Sequence, residues 1–133
     1  MKKIVIDSCV FVAAALKKDS QHQEAVKLLN KFKSENKWVN PLIVSEVATV
    51  LLLKTKQTQF VSTMLDDLFF SNSAFIKIEK LTKKLWLDSY DIFCHQNSHK
   101  LSFADCSLLA QAKVDQQEVE ILTLDEDLLK ELN

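Results

Sequence analysis

Hydrophobic positions along this chain alternate between two rhythms, short continuous runs and longer stretches with a helical repeat. Ile4-Val5-Ile6 is a β-branched run closed by the polar pair Asp7-Ser8, the pattern of a strand buried on both faces. A short helix is predicted from Val10 to Leu16. From Gln21 to Lys33 apolar residues recur at Ala25, Val26, Leu28, Leu29 and Phe32 opposite a lysine-rich face, which predicts a second helix. Trp38-Val39 reads as a second strand, and Asn40-Pro41 supplies an N-cap and a first-turn proline for a helix running from Pro41 to about Lys54. A helix from about Gln57 to Phe70 carries Phe60, Val61, Met64, Leu65, Leu68 and Phe69. The remainder reads as a strand at Phe75–Ile78, helices at Leu81 to about Asn97 and Ser102 to Val114, a fourth strand at Val119–Leu122, and a short helix at Asp127–Leu132.

Strands alternating with helices predict an α/β fold in three layers, α/β/α, with a parallel sheet and right-handed crossovers. No repeat, low-complexity run or linker divides the sequence, so residues 1–133 are expected to form a single domain. In such sheets, sites lie beyond the carboxyl ends of the strands. Asp7 stands at the end of the first strand and Asp125 just past the fourth, on the same rim.

Two further acids interrupt apolar segments: Glu46 within Leu42-Ile43-Val44-Ser45-Glu46-Val47, and Asp105 within Phe103-Ala104-Asp105-Cys106. Glu46 is flanked by Leu42, Ile43, Val50 and Leu53, which places it in the middle of an apolar face, and a buried carboxylate needs a partner. Asp105 fits a capping box with Ser102 equally well, although it shares a face with Leu108, Leu109 and Ala112. Taken alone, Asp125 reads first as an N-cap, with Glu126 and Asp127 adding favourable charge to the helix start. Asp7 alone is an ordinary polar residue at a strand end. If the fold brings the four together, their mutual repulsion calls for protonation or a cation, and oxygen ligands favour magnesium or manganese.

Composition narrows the partners. With 47% apolar and 26% charged residues the chain is globular, and its net charge of −1 excludes coating of nucleic acid by a broad basic surface. Two bound divalent ions would bring the formal charge to about +3, enough to draw a polyanion. All 17 basic residues are lysine and glycine is absent, which removes arginine forks and glycine-rich phosphate loops. The odd set Cys9, Cys94 and Cys106 reads as reduced thiols packed as small apolar groups, in a cytoplasmic protein. Met1-Lys2-Lys3 and the apolar stretch to Leu16 superficially resemble a secretory signal, but Asp7 breaks it, and no segment reaches the ~18 apolar residues of a membrane helix. His95 and His99, four apart near Cys94, are a weak zinc candidate without the glutamate of an HExxH pattern.

Val5-Ile6-Asp7-Ser8-Cys9-Val10, Pro41-Leu42-Ile43-Val44-Ser45-Glu46-Val47, Leu101-Ser102-Phe103-Ala104-Asp105 with Ala110 and Ala112, and Thr123-Leu124-Asp125-Glu126-Asp127 together resemble the PIN-domain pattern in order and context. Size and the lack of appended domains look most like VapC-type toxins of toxin-antitoxin systems. The resemblance implies a parallel sheet of four strands, or five, in the order 3-2-1-4. It also implies a metal-dependent endoribonuclease, a hydrolase of phosphodiester bonds leaving 5′-phosphate and 3′-hydroxyl ends. Asp7, Glu46, Asp105 and Asp125 would be its acids, binding Mg2+ or Mn2+. Ser8 and Thr123 match supporting polar positions, and Asp127 is the substitute if Asp125 is only a cap.

The same resemblance implies an RNA substrate, a VapB-like antitoxin and a homodimer, with no membrane partner. Lys17, Lys18, Lys54, Lys56 and Lys100 are candidates for positioning RNA, each also plain surface by itself. The helix bearing Phe60, Met64 and Phe69-Phe70 is a candidate contact surface. Two departures stand out: Asp115-Gln116-Gln117 replaces the glycine common before the last core strand, and the sequence stops at Asn133 where many relatives of this pattern add a fifth strand. The competing reading is a catalytically silent PIN-like module that binds RNA or a partner protein. A phospho-relay receiver domain would need an acid pair near the first strand and a lysine after a fifth, and neither is present.

Overall fold

The structure, a computed structural model, describes residues 2–113 and 118–133. Strands β1 (Lys3–Ile6), β2 (Lys37–Val39), β3 (Lys77–Ile78) and β4 (Val119–Leu122) form one parallel sheet in the order β3-β2-β1-β4. Seven α-helices accompany them: α1 (Ser8–Ala15), α2 (His22–Lys31), α3 (Pro41–Thr55), α4 (Thr58–Leu65), α5 (Lys83–His95), α6 (Phe103–Ala112) and α7 (Glu126–Leu132). The α/β class and the strand order are as the sequence implied. Val114 and the segment Asp115-Gln116-Gln117 lie outside the described residues.

β1 is central, and Ile4, Val5 and Ile6 are wholly buried, which explains why its sequence is continuously apolar rather than alternating. The segment read as superficially signal-like is therefore this strand and helix α1, whose Val10, Phe11, Val12 and Ala13 are also core. Asn40 caps α3 as expected, its side chain accepting from the amides of Leu42 and Ile43, with Pro41 in the first turn. Ser102 and Asp105 form the reciprocal capping box at the start of α6.

Three elements differ from the sequence reading. The helix expected to Phe70 stops at Leu65 and continues as a π-helical turn over Asp66–Phe70, closed by Ser71 N–H donating to the carbonyl of Asp66 at 2.8 Å. That turn buries Phe69 edge-to-face against Phe11, with centroids 5.2 Å apart, and leaves Phe70 exposed. Phe69 thus belongs to the core and not to a contact surface. The third strand shrinks to Lys77–Ile78: Phe75 stands in solvent at 79% exposure, and Ile76 donates its N–H to the carbonyl of Leu68 at 3.1 Å rather than to the sheet.

The third difference concerns α3. Its buried stripe is Ile43, Val44, Val47 and Leu51, while Leu53 is 70% exposed. Glu46 lies on the flank of that stripe, half-buried, rather than at its middle. The helix is apolar nearly all round, so periodicity alone could not select its inward face.

Candidate active site

The sheet register sets four polar residues in one row. Ile6 pairs with Leu122, Val5 with Trp38, and Val39 with Ile78, so the next residues along β3, β2, β1 and β4 are Glu79, Asn40, Asp7 and Thr123. The ladder extends one step beyond β1, with Asp7 N–H donating to the carbonyl of Leu122 at 2.9 Å. Backbone pairing alone therefore brings Asp7 beside Thr123.

Asp7 is buried and fully engaged. Its Oδ1 accepts the Ser8 amide at 2.7 Å, capping α1, and its Oδ2 accepts the Thr123 hydroxyl at 2.7 Å. Ser8 Oγ donates to Glu46 Oε1 and lies 3.4 Å from Asp7 Oδ1, so one hydroxyl spans the two acids. This contact ties Glu46 on α3 to the end of β1, from the flank of its helix.

The Thr123 oxygen, having given its proton to Asp7, accepts the Asp125 amide at 3.0 Å. Asp125 is the N-cap of α7, its Oδ1 accepting from Asp127 N–H (2.9 Å) and Leu128 N–H (3.3 Å). The capping reading of Asp125 is thus correct as far as it goes. Only one oxygen is occupied by it. Asp127 sits in the first turn of α7 and donates its amide to Asp125.

Asp105 arrives from α6, buried, with Oδ2 accepting the Ser102 amide at 3.0 Å. Burial pushes its carboxyl up to about 6, the Ser102 amide opposes that rise, and the negative charges of Asp7 and Asp125 add to it. Asp105 on α6 therefore feels the acids at the end of β1 and at the β4–α7 junction, and Glu46 is tied to Asp7 through Ser8. In donor chemistry this all-oxygen set fits a hard divalent cation. Among the described residues no three His, Cys, Asp or Glu side chains stand close enough to share one ion.

Cys9 takes a part that its reading as an apolar packer did not include. Its thiol donates to Asp7 Oδ2 at 3.3 Å, lies 3.6 Å from Thr123 Oγ1 and accepts the Leu124 amide at 3.3 Å. Burial and the Asp7 charge push it up to about 12, which keeps it a neutral donor. Cys106 is buried as expected, whereas Cys94 is exposed. The zinc candidate dissolves, because α5 ends at His95, whose Nδ1 is 2.8 Å from the Asp91 carbonyl, and His99 lies beyond the helix with φ of 58°.

The candidate lysines do not converge on the acids. Lys17, Lys18 and Lys54 line a surface hollow at the carboxyl ends of α1 and α3, with Lys54 3.8 Å from Asp19. Helix α1 is eight residues long, which sets this hollow about 12 Å along it from Ser8. Lys56 caps α3 in the left-handed region, φ 56°. Lys100 is exposed, two residues before the cap of α6.

Comparison with known proteins agrees with this architecture. No curated protein matches the sequence significantly. The crystal structure of Mycobacterium tuberculosis VapC20, described as a Sarcin-Ricin loop cleaving toxin, superposes with a TM-score of 0.79 at 17% identity, over 96% of this chain and 94% of that one. Residues 4–132 match the PIN domain, and on that near-complete match the chain belongs to the PIN domain family.

Proposed function

We propose that this protein is a metal-dependent endoribonuclease and the toxin of a VapBC-type pair. The observation that carries the reading is geometric: in a chain of the PIN domain family, Ser8 and Thr123 link Asp7, Glu46 and the Asp125 backbone beyond the ends of the strands. Asp7, Asp105 and Asp125 would hold Mg2+ or Mn2+, with Glu46 bound through water or orienting the attacking water. When bound, the ion supplies the charge that polarises the scissile phosphodiester and lowers the pKa of a water for in-line attack.

The protein's own residues prepare that event. Thr123 and the Ser8 amide each hold one oxygen of Asp7, and the Ser8 hydroxyl holds one of Glu46, so two acids arrive oriented rather than free to rotate. Asp105 and Asp125 each spend one oxygen on a helix cap and keep the other. Holding several carboxylates together without a counter-ion is unfavourable, which favours cation capture.

RNA is the substrate class we adopt, and the loop-cleaving description of the superposable toxin makes a structured hairpin the first choice. A VapB-like antitoxin and a homodimer would be its protein partners, with exposed Phe70, Trp86, Leu87 and Tyr90 offering apolar surface. No helix of the described residues is long and apolar enough to cross a membrane.

The test is cleavage of a hairpin RNA by purified protein with Mg2+ or Mn2+ and with EDTA, wild type beside Asp7→Asn. Cleavage abolished by EDTA and by the substitution supports the reading. Activity that survives either treatment sinks it. The silent-module alternative draws on the absence of a ready-made coordination sphere among the described residues; it predicts RNA binding without turnover under every metal condition.

A further inference from the structure

Asn40, at the end of β2, is completely buried, and its amide makes four hydrogen bonds. Oδ1 accepts from Leu42 N–H (2.9 Å) and Ile43 N–H (3.2 Å), capping α3. Nδ2 donates to Ser107 Oγ (3.0 Å) and Gln111 Oε1 (2.9 Å), which lie one turn apart on α6. Gln111 donates in turn to Glu79 Oε2 at 2.7 Å, and the other Glu79 oxygen takes Lys3 Nζ at 2.5 Å. Ser107 Oγ donates to the carbonyl of Ala104, the residue before Asp105, at 2.6 Å.

The polarity of this chain runs one way. Glu79, paired with Lys3, only accepts, so Gln111 must offer its NH2 there and present its oxygen to Asn40. Asn40 must then donate, which leaves its oxygen for the α3 amides. Turning either amide would set donor against donor or acceptor against acceptor in a buried place, at a cost of about 1–3 kcal/mol per unsatisfied group. The network therefore has one arrangement.

None of these groups touches the acids, yet the network joins the two helices that bear them. Glu46 lies six residues after Asn40 on α3, and Asp105 two residues before Ser107 on α6. Apolar packing holds two helices together but lets them slide; directional bonds fix their register, and supporting bonds of this kind hold a ligand set to within about 0.5 Å.

We propose that Asn40 and Gln111 are positioning residues, a buried amide clamp that sets the separation of Glu46 and Asp105 and so the cation affinity of the site. The clamp rests on the metal-site reading above. Glu79 and Lys3 orient it from the sheet edge, and Ser107 passes its position to the first turn of α6.

The test is Mn2+ binding to RNA-free protein by titration calorimetry, with the folded fraction followed by circular dichroism. Asn40→Ser keeps a capping hydroxyl for α3 but cannot span to α6. Gln111→Met keeps the length and loses the amide, and it decides the matter if the serine variant does not fold. Each folded variant should bind Mn2+ about 3-fold or more weakly, a smaller loss than the roughly 10-fold that follows removal of a hydrogen bond made to a ligand itself. The double variant should be little weaker than either single one, because both break the same link. A purely structural role lowers the number of binding sites at unchanged Kd, and that result overturns the clamp while leaving the metal site standing. A wild type that binds no Mn2+ overturns the metal-site reading, and the clamp with it.

Discussion

Replacing Asp105 by asparagine should stabilise the metal-free protein at neutral pH while destroying its proposed function. The carboxyl is held up near 6 against an ordinary value of 3.8, so its ionised form is disfavoured in the folded state. At 1.36 kcal/mol per pH unit that displacement amounts to about 3 kcal/mol at pH 7. Partial contact with solvent screens it, and about 1–2 kcal/mol is the expected gain on removing the charge. For a domain of this size that raises Tm by about 3–8 °C. The sign follows from linkage: a carboxyl whose folded pKa is raised contributes stability fully present below its unfolded value and lost as pH rises through about 6. The asparagine variant should therefore lead the wild type at pH 7 in EDTA, and the lead should shrink below pH 6 and vanish near pH 4. Asparagine can still accept the Ser102 amide, so the capping box survives. Thermal unfolding of both proteins from pH 4 to 7.5 reads the difference directly. A variant equal to or less stable than wild type at pH 7, or a lead unchanged at pH 4, would refute the electrostatic account of these acids.

Five other substitutions separate roles that the sequence leaves mixed. Thr123→Val removes the hydroxyl that holds Asp7 at 2.7 Å and should cut metal-dependent cleavage about 10-fold or more with the fold intact; unchanged turnover would show that Asp7 needs no such support. Asp125→Ser keeps a cap for α7 and should abolish cleavage, whereas Asp127→Asn should leave it near wild type, and the reverse ranking in an RNA assay would make Asp127 the fourth acid. Phe69→Ala should cost about 3–5 kcal/mol in denaturant unfolding, since Phe69 is buried against Phe11. Phe70→Ser should stay within about 0.5 kcal/mol, which makes it the usable probe of self-association by sedimentation.

Where one physical cause shaped the sequence, the sequence was legible. Ile4, Val5 and Ile6 of β1 are all apolar because both faces of the strand are covered there, and Asp7 marks its end. Ser102 with Asp105 and Asn40 with Pro41 announced two helix starts because orphan amides demand acceptors at those places. Glu46 was singled out for a central place on an apolar face that it does not hold, since α3 is apolar on sides that face solvent as well. Its true tie is the Ser8 hydroxyl, a contact 38 residues apart that no local spacing reveals. The π-helical turn that buries Phe69 and turns Phe70 outward is set by packing on Phe11 and left no mark in the periodicity.

The polar row beyond the strands was half visible. Asp7 stood out beside an apolar run and Thr123 through the family resemblance, while Asn40 read only as a cap and Glu79 drew no reading, because their link through Gln111 depends on strand order and register. The candidate lysines show the opposite limit. Position in sequence said nothing of their distance from the acids, and three of them gather at the far ends of α1 and α3.

The measurement closest to the central claim is Mn2+ binding, followed by electron paramagnetic resonance of the free ion, in wild type and in Asp7→Asn, Glu46→Gln, Asp105→Asn and Asp125→Asn. If acids from separate elements form one site, wild type binds and every single substitution weakens binding about 10-fold or more. Binding that is absent in wild type, or indifferent to all four changes, would contradict it.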